Sequence, residues 1–495
     1  MKAIRLILPV LFLAISSCNF LDEKPESLIT SANYYKTEAD AVAATNALYD
    51  YLSVGTTYLW DPSFGGIFFN DYWVFKDLLS DNTVENLAST EYRNISEFKM
   101  TAENVRIEYY WQDLYNVVNA SNIVIAKVPL ISMDENKKNH LIAEARFIRA
   151  MMYFELVRLF GDAPLLLNPV ETLDDAFAIR VDKDIIYQTI FEDLEFAESN
   201  LSTTYRVGLG RPTPFAVTAL FAKVHLEKGN YQDAVDYANL VISNGPYTLW
   251  PNYEDIFKIT NMNSGEIIFA VNFSGTLSQG FKPNQYHVRL LPPGLDKNGE
   301  GPENAHGWET PSTDLYDSFD PLDQRRAVTF ISSFTYMDGT TETFEPHISK
   351  FWDQVAEPRG NNTDSDVIYL RYADILLIYA EALNEVNNGP TAEAYDALNQ
   401  VRKRARFNGN IEQSILPDLS GLTYQSFKDA ILEERRWEFV MEGSRYHDLV
   451  RHGKLIEKVE GSGKPNATPK TFHNLLPIPQ REIDLNKELI QNTGY

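Results

Sequence analysis

Residues 213–246 read TPFAVTALFAKVHLEKGNYQDAVDYANLVISNGP. Ala216, Ala219, Leu220, Val224 and Leu226 recur at roughly helical spacing and predict one buried helix face. Gly229-Asn230 then turns the chain, because glycine enters left-handed backbone at no steric cost. A second face follows on Tyr231, Ala234, Ala238, Val241 and Ile242, and Gly245-Pro246 stops it. Small alanines at the crossing let two antiparallel helices approach closely. The segment therefore reads as one hairpin of short helices.

The same layout returns at 372–406. Tyr372, Ile375, Tyr379, Leu383 and Val386 form a first face, Asn387-Asn388-Gly389-Pro390 a turn, and Ala394, Leu398, Val401 and Ala405 a second face. Two short helices, a tight turn and crossing alanines make up a tetratricopeptide unit. Helical period also marks 103–128 with 135–160, and 183–201 with 213–228, as degenerate copies. A repeat needs neighbours to cover its open faces. The expectation is a mainly α, tetratricopeptide-like scaffold of about four helix pairs in one right-handed stack.

Two regions break the period. Residues 53–75 are rich in glycine and aromatics, and 261–365 hold many Gly and Pro with short strand-like runs, Ile267 to Phe273 and Ala327 to Ile331. Irregular stretches of that length on a repeat scaffold are functional or disordered, and their aromatics argue against disorder. The chain thus divides into scaffold at about 30–260 and 366–495, with an irregular, partly β insertion at about 261–365 that holds a ligand.

The amino terminus carries a different signal. Lys2 and Arg5 precede an apolar run from Leu6 to Ile15, then Ser16, Ser17 and the sole cysteine, Cys18. That is the charged–apolar–small order of a secretory signal, here residues 1–17, and the run is far too short to span a bilayer. A lone Cys in that place marks Cys18 as a lipidation site and 18–495 as the mature domain. One cysteine excludes an internal disulfide and a Cys-based zinc site. The net charge of −25 opposes nucleic acid, which needs a basic footprint.

Several motifs together resemble the SusD/RagB nutrient-binding lipoproteins of Bacteroidetes. These are Cys18 with Leu21-Asp22; Tyr34-Tyr35 before Ala39-Asp40-Ala41; Ala145-Arg146-Phe147-Ile148-Arg149-Ala150 with Leu159-Phe160-Gly161-Asp162; Leu370-Arg371-Tyr372-Ala373-Asp374; Glu433-Glu434-Arg435-Arg436 with Glu442-Gly443; and Leu476-Pro477-Ile478-Pro479. The resemblance spans nearly the whole mature chain. It implies a surface lipoprotein anchored by lipid to the outer membrane. It also implies a partner, a SusC-like TonB-dependent transporter over which the protein sits as a lid, and it implies no catalysis. The ligand it implies is a glycan, or in some members a peptide.

Sugar rings offer apolar C–H faces and polar edges, which Tyr and Trp match with a flat body and a polar tip. Trp60, Trp73, Tyr286, Trp308 and Tyr336 lie in the irregular segments and are the candidate ligand-binding residues. For any one of them, core packing competes with binding. Trp111 and Trp437 fall in helical patterns and read as structural, and Trp250 reads as core. The block Glu433–Arg436 invites a catalytic reading, but Glu and Arg at helical spacing make ion pairs, and an architectural role weighs more. His447 and His452, five apart, do not share a helix face as metal ligands do. No phosphate loop or serine elbow is present, so no cofactor is expected. A surface glycosidase stands as the rival class, but its paired carboxylates cannot be picked out among 69 acidic residues.

Overall fold

The computed structural model describes residues 34–53, 66–87, 89–205, 210–274, 284, 286–297, 299–302, 304–353, 363–408 and 411–495. Its longer helices are α1 (Glu38–Ser53), α2 (Val105–Lys127), α3 (Glu135–Phe160), α4 (Lys183–Asn200), α5 (Pro214–Lys228), α6 (Tyr231–Asn244), α7 (Tyr372–Asn387), α8 (Ala392–Ala405), α9 (Tyr424–Glu438) and α10 (Arg445–Arg451). Side chains start several of them. Asp134, Thr213 and Thr391 each accept a hydrogen bond from a backbone N–H three residues on, which satisfies a donor the helix itself leaves open. Gly229, at φ +84°, ends α5 in the left-handed conformation the sequence called for.

From α2 to α8 each helix packs on the next, so the stack is continuous and tetratricopeptide-like. The helix α4 packs on α3 as well as on α5. Sequential α6 and α7 are spatial neighbours although the whole insertion lies between them. Within α3 the side chains from Leu141 to Phe160 are buried almost without a break. A helix buried on every side, its charged Glu144, Arg149, Glu155 and Arg158 included, sits at the centre of the fold, and α1, α2 and α4 cover it.

The strands of three or more residues are β1 (Thr83–Glu85), β2 (Ile267–Val271), β3 (Glu309–Pro311), β4 (Phe330–Thr335), β5 (Thr341–Ile348) and β6 (Val367–Arg371). They pair antiparallel as β2 with β6, β1 with β3 and β4 with β5. The β2–β6 pair is the neck of the insertion, since β6 runs straight into α7. Two expectations need correction here. The run Ala327 to Ile331 is split, with Gln324–Thr329 a short helix and only Phe330 onward a strand. Residues 66–75 are not an irregular aromatic loop. They form a π-turn (Ile67–Asp71) and a short helix (Tyr72–Val74), all buried.

The neck is closed by a buried carboxylate. Asp366 accepts from the Phe273 N–H at 2.9 Å, from Asn272 Nδ2 at 2.6 Å and from Asn263 Nδ2 at 3.0 Å. Burial outweighs these bonds and pushes its pKa up to about 7. A raised carboxyl pKa favours the folded state while the group is neutral. That contribution is whole below the unfolded value of about 4 and is lost as pH rises through about 7. Thermal stability is therefore expected to decline between about pH 4 and about pH 7, and Asp366→Asn to flatten that slope. An equal slope in both proteins by scanning calorimetry would refute this.

The block Glu433–Arg436 is architectural. Glu434 binds Arg325 at 2.7 Å and Arg402 at 2.8 Å. Arg435 joins Asp374 of α7 to Asp448 of α10, each at 2.8 Å. Arg436 and Arg445 both meet Asp81, at 3.2 and 2.7 Å. Two residues on, Glu438 lies among Arg325 (3.2 Å), Arg371 (2.5 Å) and Arg404, while Glu266 bridges Arg371 and Arg404 from the far side. These pairs rivet the insertion and the chain's first third to α9.

Candidate functional site

Cys18 and Trp60 lie outside the described residues. Of the other four candidates, Trp73 and Tyr286 are buried, their rings edge to face at 5.8 Å. The Tyr286 hydroxyl donates to the Met441 carbonyl at 3.0 Å. Tyr336 is buried too, and its hydroxyl donates to the Leu295 carbonyl at 3.2 Å. All three are spent on packing, because their flat faces are covered by protein. Trp308 alone of these four is half-exposed, and the structure does not assemble the set into one platform.

Trp308 is held firmly. Its N–H donates to the Arg289 carbonyl at 2.6 Å, and its own carbonyl accepts from Asn86 N–H at 2.7 Å. The Arg289 guanidinium, itself fully buried, lies 4.8 Å from the indole and 4.5 Å from the Phe69 ring. Exposed His306 stacks on the indole with centroids 5.1 Å apart and planes 20° apart. Burial, and then the Arg289 charge, push His306 below its ordinary pKa, so the stack is uncharged at neutral pH. Such a pair, with His306 its exposed member and Trp308 its partly exposed inner member, can meet the C–H face of a sugar ring.

Two residues along the chain, at Thr310, opens a cleft of ≈ 990 Å³, with Trp308 and His306 outside its lining; its volume is at the upper end of the size range of small-ligand sites. One wall is the β1–β3 pair with Asn86 and Thr310, and the other is β5 with Phe344, Glu345 and His347. Tyr316 adds a third aromatic. Gly307, next to Trp308, packs on His347 and Pro293: a Cβ there would stand 3.0 Å from His347 Nε2, with φ already at +56°. Glycine thus lets the Trp308 strand meet the opposite wall. Burial pushes His347 down as well. Among the described residues lining the cleft are hydroxyls, an amide and carboxylates, but no Lys or Arg. The donor–acceptor set suits a neutral ligand rich in hydroxyls and repels an anionic one.

Phe344, His347, His306 and Thr310 were not singled out from sequence. In the structure exposed residues along Thr341–Ile348 alternate with half-covered ones, the period of a strand, but the half-covered positions Glu342, Phe344 and Pro346 share no residue type that would mark Phe344 in the sequence. Trp250 also differs from expectation, since it is only partly buried.

The SusD family model matches residues 328–495, and the model described as "Starch-binding associating with outer membrane" matches residues 19–226. SusD-like protein P25 of Formosa agariphila is 30% identical, covering 98% of this chain and 98% of its own. The crystal structure of a SusD superfamily protein from Parabacteroides distasonis has a TM-score of 0.79 at 25% identity and covers 94% of this chain and 100% of that one. A laminarin-binding SusD-like protein has a TM-score of 0.74 at 25% identity, covering 93% and 100%. Helical stack, insertion, buried arginine motifs and full-length similarity agree: this chain belongs to the SusD/RagB family.

Proposed function

We propose that the protein is a lipid-anchored binding protein of the outer-membrane surface that captures an oligosaccharide and passes it to a SusC-like TonB-dependent transporter. The observation that carries the ligand class is the His306–Trp308 stack near a large cleft lined, among the described residues, by hydroxyls and acceptors with no Lys or Arg. Laminarin binding by a structural relative supports it. The role is capture, not turnover. The test is titration of the full chain with laminarin, starch and other neutral glycans, against a panel of peptides, read by calorimetry and Trp emission. Heat and an emission shift with a neutral glycan, without release of reducing ends, are expected. Binding of peptides only, or cleavage of the glycan, would overturn the reading.

Anchoring rests on Cys18. A single acyl chain binds a membrane only marginally, so stable attachment takes several on one residue. Among the described residues no helix is long and apolar enough to cross a membrane. Cys18→Ala is therefore expected to move the protein from the outer-membrane fraction to the soluble one with its melting temperature unchanged. A variant that stays firmly in the membrane fraction would refute lipidation at Cys18.

A further inference from the structure

A second pocket, of ≈ 360 Å³, opens where the chain leaving α6 meets the start of α7 and the end of α8. It shares no lining residue with the cleft. Three aromatic side chains shape it: Trp250, Tyr372 and Phe407. The Trp250 ring is set against Gly265, at φ +63°, where any Cβ would stand 2.3 Å from Nε1. Its backbone N–H donates to Glu266 at 2.9 Å, and the Tyr372 N–H donates to the Glu266 carbonyl at 2.8 Å. Two of the three aromatics are thus fixed to the same rigid turn, and a pre-set flat surface binds a ring with little ordering cost.

Charge separates this pocket from the cleft. The run Arg402-Lys403-Arg404-Ala405-Arg406 carries four cations. Arg402 is held by Glu434, Arg404 by Glu266 and Glu438, and Arg406 by Glu412 and Asp418. Exposed Lys403, on the pocket wall, is the one of the four without an ion pair among the described residues. Gln400 stands one turn before it on the same wall, its amide donating to Asp396 at 2.9 Å. In a chain of net charge −25, an uncommitted ammonium beside an aromatic face is a local preference for negative charge.

We propose that this pocket is a second saccharide site, which takes a sugar ring bearing a carboxylate or sulfate: the ring lies on Trp250 and Phe407, and the acid group meets Lys403. The inference rests on the reading of the protein as a glycan binder, and it makes the protein a two-point receptor for a chain that mixes neutral and acidic units. The probes are D-glucuronate, D-glucose 6-sulfate and D-glucose, applied to the full chain in detergent and read by saturation-transfer NMR. The expected result is stronger transfer to the two anionic sugars than to glucose. Lys403→Glu should weaken that transfer about tenfold, the loss of one charge-assisted contact. Lys403→Arg should restore most of it, and Trp308→Ala should leave it intact. Transfer to one anion but not the other identifies the acid group. Equal transfer to all three sugars, insensitivity to Lys403→Glu, or loss in Trp308→Ala would overturn the second site. Of these outcomes only loss in Trp308→Ala bears on the first site, by giving it the anionic sugars as well; the reading of the protein as a glycan binder has its own test with neutral oligosaccharides.

Discussion

Glu438→Ala loses about 3–5 kcal/mol of folding stability, the cost of breaking a buried ionic group by removing one partner. The carboxylate is fully buried and serves Arg325, Arg371 and Arg404 together. Alanine leaves those guanidinium groups in a dry interior with their charge unbalanced. Burial alone would raise the Glu438 pKa, but Arg404, Arg371 and Arg325 override it and hold the carboxyl well below the usual range. Its contribution is complete above the ordinary Glu value of about 4.3 and is lost as pH falls toward the folded value. The comparison variant is Glu433→Ala. Glu433 is 28% exposed and its near partner Lys458 is 32% exposed, so that pair contributes under about 1 kcal/mol. Urea unfolding at neutral pH measures both. A Glu438→Ala loss no greater than that of Glu433→Ala would show that the cluster does not hold the insertion to α9.

Trp308→Ala weakens binding of a neutral oligosaccharide about 30-fold, or about 2 kcal/mol, as expected when a central aromatic anchor is truncated. The indole is fixed on both sides of its backbone and supported beneath by Arg289, so little of its binding contribution is spent on ordering. Trp308→Phe keeps a smaller flat face and should lose only part of the affinity. Tyr336→Phe should bind like the parent, because that hydroxyl is engaged with the Leu295 carbonyl inside the protein. Calorimetry with the tightest neutral glycan of the panel decides, after circular dichroism has shown each variant folded. Parental affinity in Trp308→Ala would move the site away from the stack.

The scaffold was legible because its information is local. Alanine spacing and the Gly229 and Gly389 turns state each hairpin within some 35 residues, and each hairpin is where they put it. The site was less so, because composition does not say which way a ring points. Trp73 and Trp308 both stand in aromatic-rich irregular sequence. One turns inward against Tyr286, and the other is propped outward by Arg289 and Asn86. What decides between them is a set of contacts between residues far apart in the chain, such as Asn86 with Trp308 and Arg445 with Asp81. No periodicity carries those. Trp250, beside Leu249 and before a helix, reads as core in the sequence, which carries no mark of the Gly265 turn that holds its ring.

The neck between β2 and β6 has a meaning for descent as well as for folding. A segment that leaves and re-enters a scaffold through one short strand pair can be lengthened or replaced while the helices keep their partners. Loop closure grows only logarithmically, by about 0.6 kcal/mol for each doubling of length. Within 272–366 the scaffold is met at separate points: Asp366 at the exit, Arg325 and Lys350 in the ionic floor, the Tyr286 hydroxyl on the Met441 carbonyl and the pairing of β3 with β1. The segments between those points, among them the one that carries His306, can be rewritten for a new diet.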